Sequence, residues 1–207
     1  KYFLLCLTFS SQFIDSNERE PYLAEDRMPC EVHVRNRMPL FGDLHVHTAL
    51  SLDANTQGTL NTPDDAYRYA KGQSLYLQPY GPDGSSSRSS RLNKPLDFAA
   101  VTDHAELLGE VRMCLDDKSS KYSSLQCKAY RHFPKLSYFY MNAKASMRKP
   151  LGFCGESREF CLDSAQAPWQ ETVKAAEKHY DRTSNCTFTS FVGYEWTGAA
   201  YSGNNLH

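Results

Sequence analysis

The sequence predicts an α/β fold built on a parallel sheet. Two observations predict it. Strand-like apolar segments alternate with helix signals, the order that lays helices over a parallel sheet. Three of those segments also run into a His, Asp or Glu at their C-terminal end, where parallel α/β folds gather ligands and catalytic groups.

The elements follow in chain order. "KYFLLCLTFSSQF" places a basic residue before an apolar run and then small polar residues, so residues 1–14 read as a clipped secretory signal peptide. The run is too short to span a bilayer, and Cys6 follows Leu5 rather than a small residue, which argues against a lipid-anchored cysteine. Residues 15–39 are charged, without clear period, and read as an N-terminal extension. "LFGDLHVH" alternates as a strand does, with Leu44 and Val46 on one face and His45 and His47 on the other. "NTPDDAYRYAKG" is a helix: Thr62 caps it, Pro63 opens it, Asp64 and Asp65 favour its positive end and Gly72 stops it. "YGPDGSSSRSSRLNKP" is a turn-rich loop. "LDFAAVTDH" is a short apolar run with a polar end, as in a buried parallel strand. About residues 106–165 form an irregular, cysteine-bearing insertion. "APWQETVKAAEKHYD" is a second helix, with Trp169, Val173, Ala176 and Tyr180 at helical spacing, and "CTFTSFVGYEWTG" is a third strand. The domain is thus expected over residues 40–207. Because the chain starts at Lys1 without methionine and stops straight after "GNNLH", a fragment is expected.

A net charge of −1 gives no broad electrostatic attraction to nucleic acid or an anionic membrane. Seven cysteines are many for a reducing compartment. Leaving Cys6 aside, Cys30, Cys114, Cys127, Cys154, Cys161 and Cys186 make an even set, which fits a secreted or periplasmic protein. Cys114 with Cys127 and Cys154 with Cys161 are the local pairs expected. No C-x-x-C occurs, so a cysteine zinc site ranks lower. Asn185-Cys186-Thr187 matches a glycosylation acceptor, meaningful only in a eukaryotic secretory route.

Residues two apart on a strand share a face, so His45 and His47 can reach one cation together. H-x-H alone is a weak signal, since two polar residues on a solvated strand face explain it equally well. The other strand ends change its weight. "VTDHAE" puts Asp103 and His104 at the second, and "GYEWT" puts Glu195 in an otherwise uncharged stretch at the third. An unpaired buried carboxylate is costly, and a multivalent cation removes that cost. The joint placement favours a metal cluster. His132 and His179 are read as ordinary surface histidines.

"FGDLHVHTALSLDA", "TPDDAYRYAKG", "PLDFAAVTDHAELLGEV", "VGYEW" and a terminal histidine together resemble the PHP (polymerase and histidinol phosphatase) superfamily, and within it an exported bacterial branch catalogued as domain of unknown function 3604. The resemblance covers about residues 40–114 and 188–207. It implies a partial, distorted (β/α)7 barrel holding two or three divalent ions, Zn or Mn. It implies that His45 and His47 hold a first metal with Glu195 as bridge, that His207 serves a second, and that Asp53 and His104 serve a third. Asp103 is a candidate ligand but is rather expected, like Asp43, to orient a histidine from behind. The superfamily's later motifs, a further histidine and a closing Asp-x-His, are missing, so this chain alone is expected to be inactive.

The resemblance implies a phosphoesterase that activates water on metal, acting on a small phosphorylated molecule. No G-x-S-x-G or phosphate-cradling G-x-x-x-x-G-K occurs. Arg68, Lys71, Arg88, Arg91 and Lys94 are candidates to meet a phosphate. Two alternatives stay open: hydrolysis of an amide or phosphonate ester, and a metal-binding module without catalysis.

Overall fold

The three segments that end in His, Asp or Glu form one parallel sheet. The computed structural model describes residues 29–31, 34–147, 149–199 and 205–206. The elements run β1 (Gly42–Val46), α1 (Leu52–Thr56), α2 (Pro63–Ala70), β2 (Leu75–Leu77), β3 (Arg88–Ser90), β4 (Phe98–Val101), α3 (Leu108–Leu115), α4 (Leu125–His132), α5 (Pro134–Ser146), a 3-10 turn (Gly152–Cys154), α6 (Glu159–His179), β5 (Thr189–Val192), β6 (Gly198–Ala199) and β7 (Asn205–Leu206). The sheet order is β1-β4-β5, both pairings parallel. The fold is mixed α/β, and among the described residues this sheet is open rather than a closed barrel. No helix among them is long and apolar enough to cross a membrane. The signal-like residues 1–14, Cys6 and His207 lie outside the described residues.

β4 is short and small-chained because both of its faces are covered: Ala99, Ala100 and Val101 are all buried. α2 packs on it through Tyr67, which is fully buried. The Tyr67 hydroxyl accepts the Val101 N–H at 3.1 Å and donates to the Phe191 carbonyl at 2.9 Å, so one side chain ties α2 to both β4 and β5. Around it Ala70, Ala175, Ala176 and Phe188 complete the sheet's core. α2 begins as its sequence predicts. Thr62 and Asp65 form a reciprocal capping box, Pro63 opens the helix, and Gly72 follows it at φ +83°.

Four expectations need correction. The strict alternation of β1 is broken, because Asp43 pairs with Ala99 while Val46 pairs with Val101, so three steps on β1 oppose two on β4. This is a bulge, which re-aims side chains next to it. The freed His45 N–H is taken by Asp43 Oδ1 at 2.9 Å, and the Val46 N–H by Thr102 Oγ1 at 3.1 Å. The stretch 106–165 is helical rather than irregular: α3, α4, α5 and the first part of α6 fold around a second apolar core containing Val111, Met113, Tyr130, Met141, Leu151 and Phe153. α3 is buried nearly all round and α5 carries apolar residues on both a buried and an exposed side, which hides any single period. α6 starts well before residue 167, at Glu159, and carries Pro168 inside it. It holds because α3 packs closely on it; a Cβ on Gly109 would lie 1.8 Å from the Cys161 carbonyl oxygen. Finally, the stretch read as a turn-rich loop contains a strand, β3, which pairs antiparallel with β2 before it.

Disulfides join Cys114 to Cys127 and Cys154 to Cys161, and a third joins Cys30 to Cys186. The first two lie in the helical insertion, pinning α4 to α3 and the 3-10 turn to α6. All six described cysteines are paired, which closes the Glu110, Cys154 and Cys161 cluster to metal.

Candidate metal centre

β1, β4 and β5 end at one rim, and His104 and Glu195 continue the parallel pairing there as an isolated bridge. Five side chains meet at that rim. The His45 and His47 rings stack with centroids 4.8 Å apart, and His47 meets His104 edge-on at 4.8 Å. His47 Nε2 lies 2.6 Å from Glu195 Oε2, and its Nδ1 lies 2.8 Å from Asp53 Oδ2. His45 Nε2 reaches the same Glu195 oxygen at 3.2 Å. His104 Nε2 lies 4.0 Å from Asp53 Oδ2, and its Nδ1 lies 3.8 Å from Glu195 Oε1. These contacts make two overlapping sets, His45–His47–Glu195 and His47–Asp53–His104, each with ligand atoms within 4.8 Å of one another.

The local sequence explains why they converge. The bulge in β1 leaves His45 the open member of the pair, its side chain 68% exposed against 14% for His47. α1 brings Asp53 to the rim. Its preceding Ser51 accepts the His104 N–H at 3.2 Å, and its Asn55 accepts a 2.7 Å hydrogen bond from the Tyr130 hydroxyl of the insertion. Glu195 is fixed by backbone bonds on both sides, its N–H donating to the Asp103 carbonyl and its carbonyl accepting from Ala105.

Electrostatics follow the pairing. The hydrogen bond to Asp53 holds the His47 imidazole above its ordinary 6.5; burial opposes this, and Glu195 adds to it. Burial pushes the Asp53 carboxyl up, but hydrogen bonds from His47, Ser51 and Ala54 win and hold it well below the usual carboxylate range. Glu106 raises His104, against burial and with help from Glu195 and Asp53.

The hydrogen bonds of Asp103 and Asp43 run to backbone N–H groups and a hydroxyl rather than to imidazole rings. The buried Asp103 carboxylate accepts the Thr48 N–H at 2.5 Å and the Thr48 hydroxyl at 2.7 Å, locking the turn after β1 to the end of β4. Burial raises its pKa despite those bonds. Asp43 serves the backbone of the bulge. Sequence reasoning missed Glu106, which stands two residues after His104 in "DHAE". One oxygen accepts the Thr197 N–H at 2.5 Å; the other, Oε2, is buried without a hydrogen bond and faces His104 Nδ1 at 3.6 Å. The i, i+2 spacing was the available signal.

The donors fit a divalent cation. Ligands bound to zinc at about 2.0–2.2 Å lie roughly 3–3.6 Å apart at tetrahedral angles, and the contacts here straddle that range. Metal binding needs neutral imidazoles and ionised carboxylates, so a cation would displace a proton held between His47 Nε2 and Glu195. The unsatisfied Glu106 oxygen is a further buried acceptor with no proton donor of its own.

A family profile, Protein of unknown function (DUF3604), matches residues 34–207. The chain belongs to the DUF3604 family. No curated protein and no solved structure matches it.

In this DUF3604 chain a cavity of about 480 Å³ opens beside His45 and His47, lined also by Asn61, Tyr67 and Tyr69. Of the proposed phosphate-facing cations, Arg68 is engaged by Asp65 and Gln73, Arg88 by the Gln78 carbonyl, and Lys71 and Lys94 lie over the rings of Phe188 and Phe41. His132 is exposed, as expected. His179 is not a surface residue: it is buried, stacked on Tyr67 and hydrogen-bonded to Asp64 at 2.9 Å. It faces inward because the buried stripe of α6 runs through Thr172, Ala175, Ala176 and His179, rotated from the face that Trp169 and Val173 suggest.

Proposed function

We propose that this DUF3604 protein is a metal-dependent hydrolase of the PHP type, a phosphoesterase acting on a small phosphorylated molecule. The parallel β1-β4-β5 sheet is then one arc of the superfamily's distorted (β/α)7 barrel. The observation that carries the reading is the convergence of His45, His47, Asp53, His104 and Glu195 from three parallel strand ends and α1 onto one rim.

Divalent ions such as Zn or Mn, when bound, would polarise a phosphoryl oxygen and lower the pKa of a water. Two sites fit the residues present, one on His45, His47 and Glu195, the other on Asp53 and His104. Asp53 Oδ2 accepts the His47 Nδ1–H and so turns Nε2 toward Glu195. Glu106 faces His104 Nδ1 at 3.6 Å and favours a proton there by its charge. His207 is proposed for a further metal. The cavity beside His45 has the size of a small-molecule site. Three disulfides support a secreted or periplasmic setting.

The test is metal analysis of the purified full-length protein together with hydrolysis of p-nitrophenyl phosphate and bis(p-nitrophenyl) phosphate. Zn or Mn should co-purify, chelation should stop turnover and re-addition restore it. His47→Ala should lose both metal and turnover while keeping its far-UV circular dichroism. Turnover that survives chelation, or a His47→Ala protein with full activity and unchanged metal content, would sink the assignment.

A further inference from the structure

The helical insertion carries a surface that the metal centre does not use. α5 is apolar on two opposite sides. Ser137 and Met141 are buried against the insertion core, while Leu136, Phe139 and Tyr140 are 70%, 69% and 49% exposed. With exposed Ala143 and Met147 they form an i, i+3, i+4, i+7, i+11 stripe pointing away from the core. At 100° per residue Lys135 falls on one side of that stripe and Lys144 on the other, and Lys144 Nζ lies 5.7 Å from the Tyr140 ring centre. Leu125 and Phe133 of the α4 side extend the patch, at 80% and 64% exposed. A groove of about 420 Å³ runs between the two helices, lined by Leu125, Ala129, Phe133, Leu136, Tyr140 and Met141.

The charge around this patch is one-sided. Residues 118–155 contain eight Lys and Arg and no Asp or Glu, in a chain whose net charge is −1. Arg131 is spent inside, bonding the Cys114 and Tyr122 carbonyls. Lys118, Lys128, Lys135 and Lys149 are exposed. A second copy is a poor occupant, because it would press two cationic patches together. An apolar stripe with aromatic residues and lysines along both margins matches the region where lipid headgroups meet acyl chains, with the lysine stems lying on the apolar surface and the ammonium groups reaching phosphates.

We infer that the α4–α5 hairpin docks this protein on an anionic phospholipid membrane. Leu136, Phe139 and Tyr140 enter the headgroup boundary, the groove admits acyl segments, and Lys135 and Lys144 pair with lipid phosphates. Near an anionic surface each lysine is worth about 1 kcal/mol, or roughly fivefold in partitioning. Docking does not depend on the proposed hydrolysis.

The experiment is co-sedimentation of the full-length protein with vesicles of phosphatidylcholine alone or mixed with phosphatidylglycerol. The protein should pellet with the mixed vesicles only, and 1 M NaCl, taken as roughly the strength that shrinks screening to a few ångströms, should release most of it. Lys135→Glu/Lys144→Glu and Leu136→Ala/Phe139→Ala should each lower the partition coefficient at least about tenfold. Lys135, Leu136 and Phe139 are exposed and Lys144 is half-buried, none of them in the insertion core, so circular dichroism should be unchanged, and Lys174→Glu on α6 should bind as the parent does. No pelleting with phosphatidylglycerol overturns the inference. So does equal binding by the Leu136→Ala/Phe139→Ala protein, which would mean unspecific charge attraction.

Discussion

Replacing Asp103 with alanine tests how the rim is held. The carboxylate accepts two hydrogen bonds from Thr48, and both residues are buried, at 5% and 1% exposure. Bonds to a charged group contribute about 1.5–3 kcal/mol each. Burial of the carboxylate works against them, as its raised pKa records. Alanine removes that cost but strands a buried amide N–H, at about 1–3 kcal/mol. The net loss should be about 2–4 kcal/mol. For a chain of this size 1 kcal/mol moves Tm by about 2–4 °C, so melting should fall by roughly 5–15 °C. Urea unfolding should show a lower midpoint at unchanged slope. Asp103 sits beside His104 and bonds the neighbour of His47, so zinc affinity should drop about 10–100-fold, the usual size of a positioning effect, rather than vanish. Asp103→Asn, which keeps an acceptor for the Thr48 N–H, should lose only about 1 kcal/mol. An unchanged midpoint in Asp103→Ala would refute the reasoning. Abolished metal binding at unchanged stability would make Asp103 a ligand instead.

Three further outcomes are expected. Zinc at 100 times its Kd should stabilise the protein by about 2.7 kcal/mol, raising Tm by roughly 5–10 °C; Glu195→Gln should lose most of that shift in the same melt, and an equal shift would remove Glu195 from the site. His47 and His104 are raised in the folded protein, so the stability they contribute is complete below about 6.5 and is lost as pH rises through their folded values. Metal binding needs neutral imidazoles, so the metal-free protein should melt lower as pH rises through this window while zinc affinity strengthens; calorimetry showing both moving the same way would contradict the pairing. Removing the Cys114–Cys127 bridge by double serine replacement should cost about 3 kcal/mol in urea unfolding, and the Cys30–Cys186 bridge, which closes a far longer loop, about 5 kcal/mol; the reverse order would show native contacts, not chain entropy, in control.

The sheet and much of the rim were legible because their signals are local. Pro63 and Thr62 announce α2, "FAAV" announces a covered strand, and His45, His47, Asp53, His104 and Glu195 each stand at or just beyond an element's end. What escaped depends on partners distant in sequence. The β1 bulge is set by register against β4, and alternation within "GDLHVH" contains no trace of it. The role of Asp103 depends on Thr48, 55 residues away. His179 turned inward because Tyr67 and Asp64 of α2 await it, and a helix read alone does not reveal which side its neighbour takes. The insertion hid its helices because their apolar residues do not trace one buried stripe, and disulfides help hold them.

The sequence separation of 148 from His47 to Glu195 also has a meaning in time. Synthesis at about 5–20 residues per second puts roughly 7–30 s between the emergence of the two. For the later part of that interval β1, α1, α2 and β4 have been made without β5, and the Tyr67 hydroxyl has no Phe191 carbonyl to meet. On the proposed reading, a cation arriving early finds imidazoles and Asp53 but not the carboxylate that joins His45 to His47. Ions that leave such a half-built site within seconds are still in exchange when Glu195 appears, and ions that do not are selected by order of arrival. Which metal the finished protein carries is then a matter of when and where the chain meets it, as much as of the geometry it ends with.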